Sequence, residues 1–124
     1  MKFVKIDPPG TWCTHQAIRE LIIGLRAKGV RPRTFIEVGC GDGRLASVLC
    51  GLGMTGVGID FSANAIESTR KELAAWIDKG SYQALLGDFA ALPLPQKEFD
   101  LGVSIMVMEH VADDQVFLKR LICK

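Results

Sequence analysis

Apolar residues along this chain recur with two different spacings, and the alternation between them is the first guide to its fold. Ile18, Leu21, Ile22 and Leu25 fall at i, i+3, i+4 and i+7, one face of a helix that Gly29 and Pro32 bring to an end. A short apolar, β-branched segment near residues 34 to 38 then reads as a buried strand. Leu45, Val48, Leu49 and Leu52 restore the helical spacing, and a second strand is expected near 55 to 60. Ser62 starts a third helix through Ile66, Leu73 and Ile77, closed by Gly80, before a third strand near 82 to 86. A fourth strand is expected near 100 to 107, and Asp113 or Asp114 caps a last helix that runs to Lys124. This order predicts one α/β domain over residues 1–124, a doubly wound parallel sheet with right-handed crossovers, with no internal repeat or low-complexity linker.

The chemistry sits where strands give way to helices. Phe35-Ile36-Glu37-Val38 feeds Gly39-Cys40-Gly41-Asp42-Gly43, a tight glycine-rich turn before a helix, built to bring a ligand against bare backbone. A dinucleotide fingerprint would place its third glycine at position 44, which is Arg44, so the nicotinamide spacing fails by one residue. The pattern that fits is acidic-x-Gly-x-Gly-x-Gly from Glu37 to Gly43, and an acidic residue there would repel a pyrophosphate. Asp60 ends the apolar run Val57-Gly58-Ile59, where a carboxylate can accept hydrogen bonds from both hydroxyls of a ribose. Its competing role is an extra cap for the following helix, although Ser62 already supplies one. A third motif, Gly87-Asp88-Phe89, closes the strand from Tyr82 and precedes Leu92-Pro93-Leu94-Pro95; read blandly, Asp88 is a turn residue and Phe89 a core aromatic.

Taken in order, these motifs resemble those of the class I S-adenosylmethionine (SAM) dependent methyltransferases. The segment Leu101 to Asp114, with Glu109-His110-Val111, is similar to the corresponding stretch of small-molecule methyltransferases such as those of quinone biosynthesis, so the resemblance runs from about Phe35 to the C-terminus. It implies SAM as cofactor, with the loop facing the methionine part and Glu37 reaching its ammonium group directly or through water. Asp88 would lie toward the exocyclic amine of adenine and Phe89 against the ring. The cofactor-binding set it implies is Glu37, Gly39, Cys40, Gly41, Gly43, Asp60, Phe61, Asp88, Phe89 and Met106. Leu94, Gln96 and Ala112 depart from the family's common aromatic, acid and proline, which concerns loop shape and therefore substrate. His110 is the nearby candidate for removing a proton, since imidazole titrates near neutrality; its alternative role is to hold the loop beneath the cofactor. Trp12 and His15, placed ahead of the first helix, are candidates for part of a lid, the tryptophan otherwise packing on that helix.

The resembled fold orders its strands 3-2-1-4-5-7-6, so the four expected here form the 3-2-1-4 part, and the apolar fourth strand becomes an edge. An edge of that character invites pairing. The expectation is therefore a partial chain carrying the cofactor-binding half, or one that completes its sheet by self-association through the fourth strand.

Composition narrows the partners. With 48% hydrophobic and 23% charged residues and a net charge of +1, the chain is globular and gives nucleic-acid binding no electrostatic support. Cysteines 13, 40, 50 and 123 form no Cys-x-x-Cys pair, and with two histidines no zinc set is expected; reduced thiols in the cytoplasm are the default reading. No signal-peptide or membrane-spanning stretch is evident. Three functions are weighed: methyl transfer to a small-molecule acceptor, a SAM-binding partner subunit without activity, and a nicotinamide-dinucleotide-binding domain, the last of which leaves the loop spacing and Gly87-Asp88-Phe89 unexplained.

Overall fold

A computed structural model describes residues 2–5, 11–96 and 98–104, with side chains described from His15 onward. In chain order the elements are β1 (Lys2–Lys5), α1 (Thr11–Ala27), β2 (Thr34–Val38), α2 (Arg44–Gly51), β3 (Thr55–Asp60), α3 (Ala63–Glu72), α4 (Ala74–Asp78), β4 (Tyr82–Leu86) and β5 (Leu101–Ser104). The strands form one parallel sheet in the order β1-β5-β2-β3-β4. Read from β4, the four expected strands stand in the expected order 3-2-1-4. Parallel pairing puts every strand's C-terminal tip at one edge, and the order reverses direction between β2 and β5, the place where open α/β sheets receive ligands.

β1 corrects the expectation that the fourth strand ends the sheet. Lys2–Lys5 lies parallel along β5, Lys2 opposite Leu101 and Lys5 opposite Ser104, so the outer described strands are β1 and β4. Four residues with a lysine at each end carry no clear strand signal of their own; the pairing is a tertiary choice, satisfying backbone groups that β5 would otherwise leave open. The last helix and the part of the fourth strand beyond Ser104 lie outside the described residues.

The sheet has unequal faces. On one, α1, α2 and α3 deliver Ile18, Ile22, Leu45, Leu49 and Ile66, with Leu73 from the junction after α3, onto Phe35, Tyr82, Leu101 and Val103. On the other, Phe89 and Phe99 from the segment after β4 cover Ile36, Val38, Val57 and Ile59. β3 is thin on the helix side: a Cβ at Gly56 would meet the Phe35 ring, and one at Gly58 would meet the Tyr82 hydroxyl. Those two aromatic side chains, from the strands on either side, thus lie over the glycines of β3, their ring centroids 6.1 Å apart.

Two helical expectations need adjustment. Leu21 is 41% exposed, so the inner stripe of α1 is Ile18 and Ile22 with Leu25 half-buried. The helix expected from Ser62 through Ile77 is divided at Leu73, whose φ of −107° and ψ of 17° leave helical geometry. Leu73 is fully buried, and beyond the bend Trp76 and Ile77 still pack on the same core. Tertiary packing overrides the local propensity here.

Candidate cofactor site at the strand tips

The turn after β2 is held from below by β3, because Gly39 and Cys40 both donate their N–H groups to the Ile59 carbonyl, at 2.7 and 3.2 Å. Gly41 then adopts a φ of +57° and Gly43 one of +83°, left-handed geometry that glycine takes without strain. The two differ in surroundings. A Cβ on Gly41 would enter open space, so its free side is where a ligand can approach, whereas one on Gly43 would sit 3.1 Å from the Cα of Thr69 and 3.0 Å from Leu73 Cδ1. Gly43 is also the N-terminal cap of α2, and with no side chain it supplies no capping bond. Asp42 takes that part, accepting from the Arg44 N–H at 3.1 Å and pairing with its guanidinium at 3.0 Å on the exposed surface.

Three carboxylates surround this loop. Glu37, near the tip of β2, is 3% exposed, and its Oε1 has no hydrogen-bond partner among the described residues. Burial, reinforced by the negative charges of Asp42 and Asp60, holds its carboxyl well above the ordinary range. Asp60 at the tip of β3 is engaged instead: Oδ2 accepts from the Gly41 N–H at 3.1 Å and Oδ1 from the Ser62 N–H at 2.9 Å. A carboxylate has about four acceptor positions, so these bonds leave room for ribose hydroxyls. The helix-support reading of Asp60 describes these bonds directly: it holds the start of α3, where the Ser62 hydroxyl accepts from Ala65 N–H.

Beyond β4, Asp88 is exposed and forms a turn, Oδ1 accepting from the Ala90 N–H at 3.0 Å. Phe89 is 3% exposed and belongs to the core on the far face of the sheet, so the expectation that it lies against a ligand ring does not match its place here. The exposed ring at this edge is Phe61, 61% exposed, with Leu86 49% exposed on the neighbouring strand. Cys40 is buried, and burial pushes its thiol up to about 12, which keeps it protonated and unsuited to nucleophilic attack. Met106 and His110 lie outside the described residues. His15 lies inside α1 rather than ahead of it; burial lowers its pKa, with Asp42 opposing and Arg44 adding to that shift, so this helix passes close to the loop. Trp12 is also within α1, its side chain outside the description.

Thr69 and Asp42 take part in the loop's hydrogen bonds without belonging to the motifs' candidate ligands. Thr69 had a signal: it stands three residues after Ile66 and four before Leu73, a polar residue on an apolar stripe, and it is fully buried.

Residues 36–122 match a family described as "Methyltransferase domain". A ubiquinone biosynthesis O-methyltransferase from Parvibaculum lavamentivorans is 33% identical over 99 residues, which cover 77% of this chain and 38% of that protein. The protein of the same name from Pelagibacter ubique is 31% identical over 106 residues, 82% of this chain and 41% of its own length. Among solved structures, a putative SAM-dependent methyltransferase from Methanococcus maripaludis superposes with a TM-score of 0.71 at 24% identity, over 86% of this chain and 48% of that one. A TehB-like SAM-dependent methyltransferase from Corynebacterium glutamicum gives 0.61 at 21% identity, over 88% and 65%. These structures share the Rossmann-like sheet, and with the family match running from β2 past β5 the chain belongs to the methyltransferase-domain family.

Proposed function

We propose that this chain carries the cofactor-binding half of an enzyme that transfers a methyl group from SAM to a small-molecule acceptor. The observation that carries the reading is electrostatic: Glu37, Asp42 and Asp60 ring a glycine loop in which Gly41 has an open side. The two aspartates of this ring repel a pyrophosphate and attract positive charge, Glu37 gains its charge when a cation reaches it, and SAM brings both an ammonium and a sulfonium. The buried, unpartnered Oε1 of Glu37 suits the ammonium. Asp60 suits the ribose, Asp88 the exocyclic amine of adenine, and the exposed face of Phe61 the adenine ring, a role in which it replaces Phe89. Gly39, Cys40, Gly41 and Gly43 line the methionine part with backbone.

When bound, SAM supplies a methyl group already activated by the positive sulfur. The protein's share is to align donor and acceptor and to keep water out. The acidic side chains around the loop would hold the cationic donor in place. The names of the curated relatives favour an oxygen acceptor, and His110 is the candidate to take the acceptor's proton. No described helix is long and apolar enough to cross a membrane. Cys40 and Cys50 are free thiols, which supports a cytoplasmic setting. A methyl-transfer assay with radiolabelled SAM and hydroxyl-bearing small-molecule acceptors tests the proposal. Label appearing on an acceptor oxygen supports it, and SAM binding with no transfer by the whole protein would leave a binding subunit in its place.

A further inference from the structure

A side chain at Gly41 would begin in open space, yet both ends of its backbone are held. Its N–H donates to Asp60 Oδ2 at 3.1 Å, and its carbonyl accepts from the Thr69 hydroxyl at 2.8 Å. Thr69 Oγ1 also lies 3.4 Å from Cys40 Sγ. A hydroxyl has one hydrogen, and the shorter contact to oxygen takes it, which leaves the protonated Cys40 thiol to donate its own weak bond back to Oγ1. The same threonine backs the end of the loop, its Cα and Cγ2 standing 3.1 and 3.3 Å from where a Gly43 side chain would begin. Asp60 in turn reaches α3 through the Ser62 N–H at 2.9 Å. The loop is thereby tied twice to one helix, through Asp60 at its start and through Thr69 two turns later.

We propose that Thr69 is a positioning residue for the cofactor loop: by holding the Gly41 carbonyl on the α3 side, it keeps the Gly41 N–H on Asp60 and fixes the loop in the shape that receives SAM, without itself touching the ligand. This rests on the cofactor reading above. A free glycine peptide samples many conformations, and a ligand that needs one of them binds more weakly by the fraction of time the loop spends elsewhere. The hydroxyl matters here more than the volume of the side chain. Thr69→Val keeps the shape and removes the donor; Thr69→Ser keeps the donor and removes the methyl group.

Two measurements on the same proteins test this. In calorimetric titration with SAM, Thr69→Val should bind about tenfold more weakly than the parent, the effect of one lost hydrogen bond, and Thr69→Ser should stay within about threefold. Amide hydrogen exchange read by NMR without ligand should be faster at Gly41 in the valine variant and unchanged in the serine variant. Thermal unfolding separates loss of fold from loss of the clamp, and Thr69→Ala takes the place of the valine variant if that one does not fold. Parent-like affinity and exchange in a folded Thr69→Val would overturn the proposal, as would equal damage in the serine variant. A parent protein that binds no SAM would defeat the cofactor reading instead, and the exchange rates at Gly41 would then decide the clamp alone.

Discussion

The tips of β2 and β3 carry two carboxylates in opposite states. Glu37 is buried and has an oxygen with no hydrogen-bond partner among the described residues, whereas Asp60 is half-buried and has backbone N–H groups on both of its oxygens. Glu37 is a cost to the free protein that a bound cation would offset; Asp60 is structural before any ligand arrives. The contrast teaches that two acidic residues which look equivalent in a motif divide the labour, one storing unmet electrostatic demand and one shaping the loop. Each consequence of that division can be measured.

The largest effect belongs to Asp60. Asp60→Ala removes the proposed ribose acceptors and the anchor of Gly41 together, so SAM affinity should fall by about 2 to 4 kcal/mol, roughly 30- to 1,000-fold, in a protein that still folds. Calorimetry with thermal unfolding alongside checks both parts; unchanged affinity would reduce Asp60 to a helix support.

Glu37→Gln should act in opposite directions on binding and on stability. Without the carboxylate, SAM affinity should drop about tenfold, as expected for a lost charge-assisted bond. The free variant, relieved of a buried acid, should unfold a few degrees higher at neutral pH. A variant that loses both affinity and stability would show that Glu37 already has a partner in the free protein.

The sign of the pH dependence follows from the same group. Burial first, then Asp42 and Asp60, raise the Glu37 carboxyl above its usual 4.5, so the folded chain holds its proton more tightly than the unfolded chain does. That contribution to stability is complete below the unfolded value and is lost as pH rises through the folded one. Denaturant melts from acid to neutral pH should show the parent falling relative to Glu37→Gln over this window. SAM affinity should move the other way, rising with pH across it because the cation favours the ionised carboxylate.

The smallest effect is expected at the cysteines of the same layer. Cys40 is pushed up to about 12 and Cys50 to about 11, in both cases chiefly by burial, so neither thiol should react with iodoacetamide at neutral pH until the chain unfolds. Rapid labelling of Cys40 in the native protein would mean the loop opens more readily than its hydrogen bonds imply.

Much of this arrangement was legible in the residues. The strands at 34–38 and 82–86 are bounded by proline or glycine and the one at 55–60 by Gly53 and the Ser62 cap, and their observed limits agree with that punctuation. Glu37, the glycines and Asp60 stood out because spacing alone places them at strand tips. What the sequence hid was tertiary. The strand Lys2–Lys5 exists through its neighbour β5, and the bend at Leu73 interrupts residues that would otherwise continue a helix. Phe89 takes the core place that its bland reading gives it, because the segment after β4 turns under the sheet, a direction no local pattern encodes. Thr69 was visible as a polar interruption of an apolar stripe, but its partner lies 28 residues away, and only the folded loop supplies it.

The central claim is that the carboxylate ring around Gly41 selects a cationic adenosyl ligand over an anionic dinucleotide. Calorimetric titration of the same protein with SAM and with NAD tests it most directly. The account predicts saturable SAM binding that weakens in Asp60→Ala, with NAD binding weaker or undetectable; tighter binding of NAD, or SAM binding indifferent to Asp60, would contradict it.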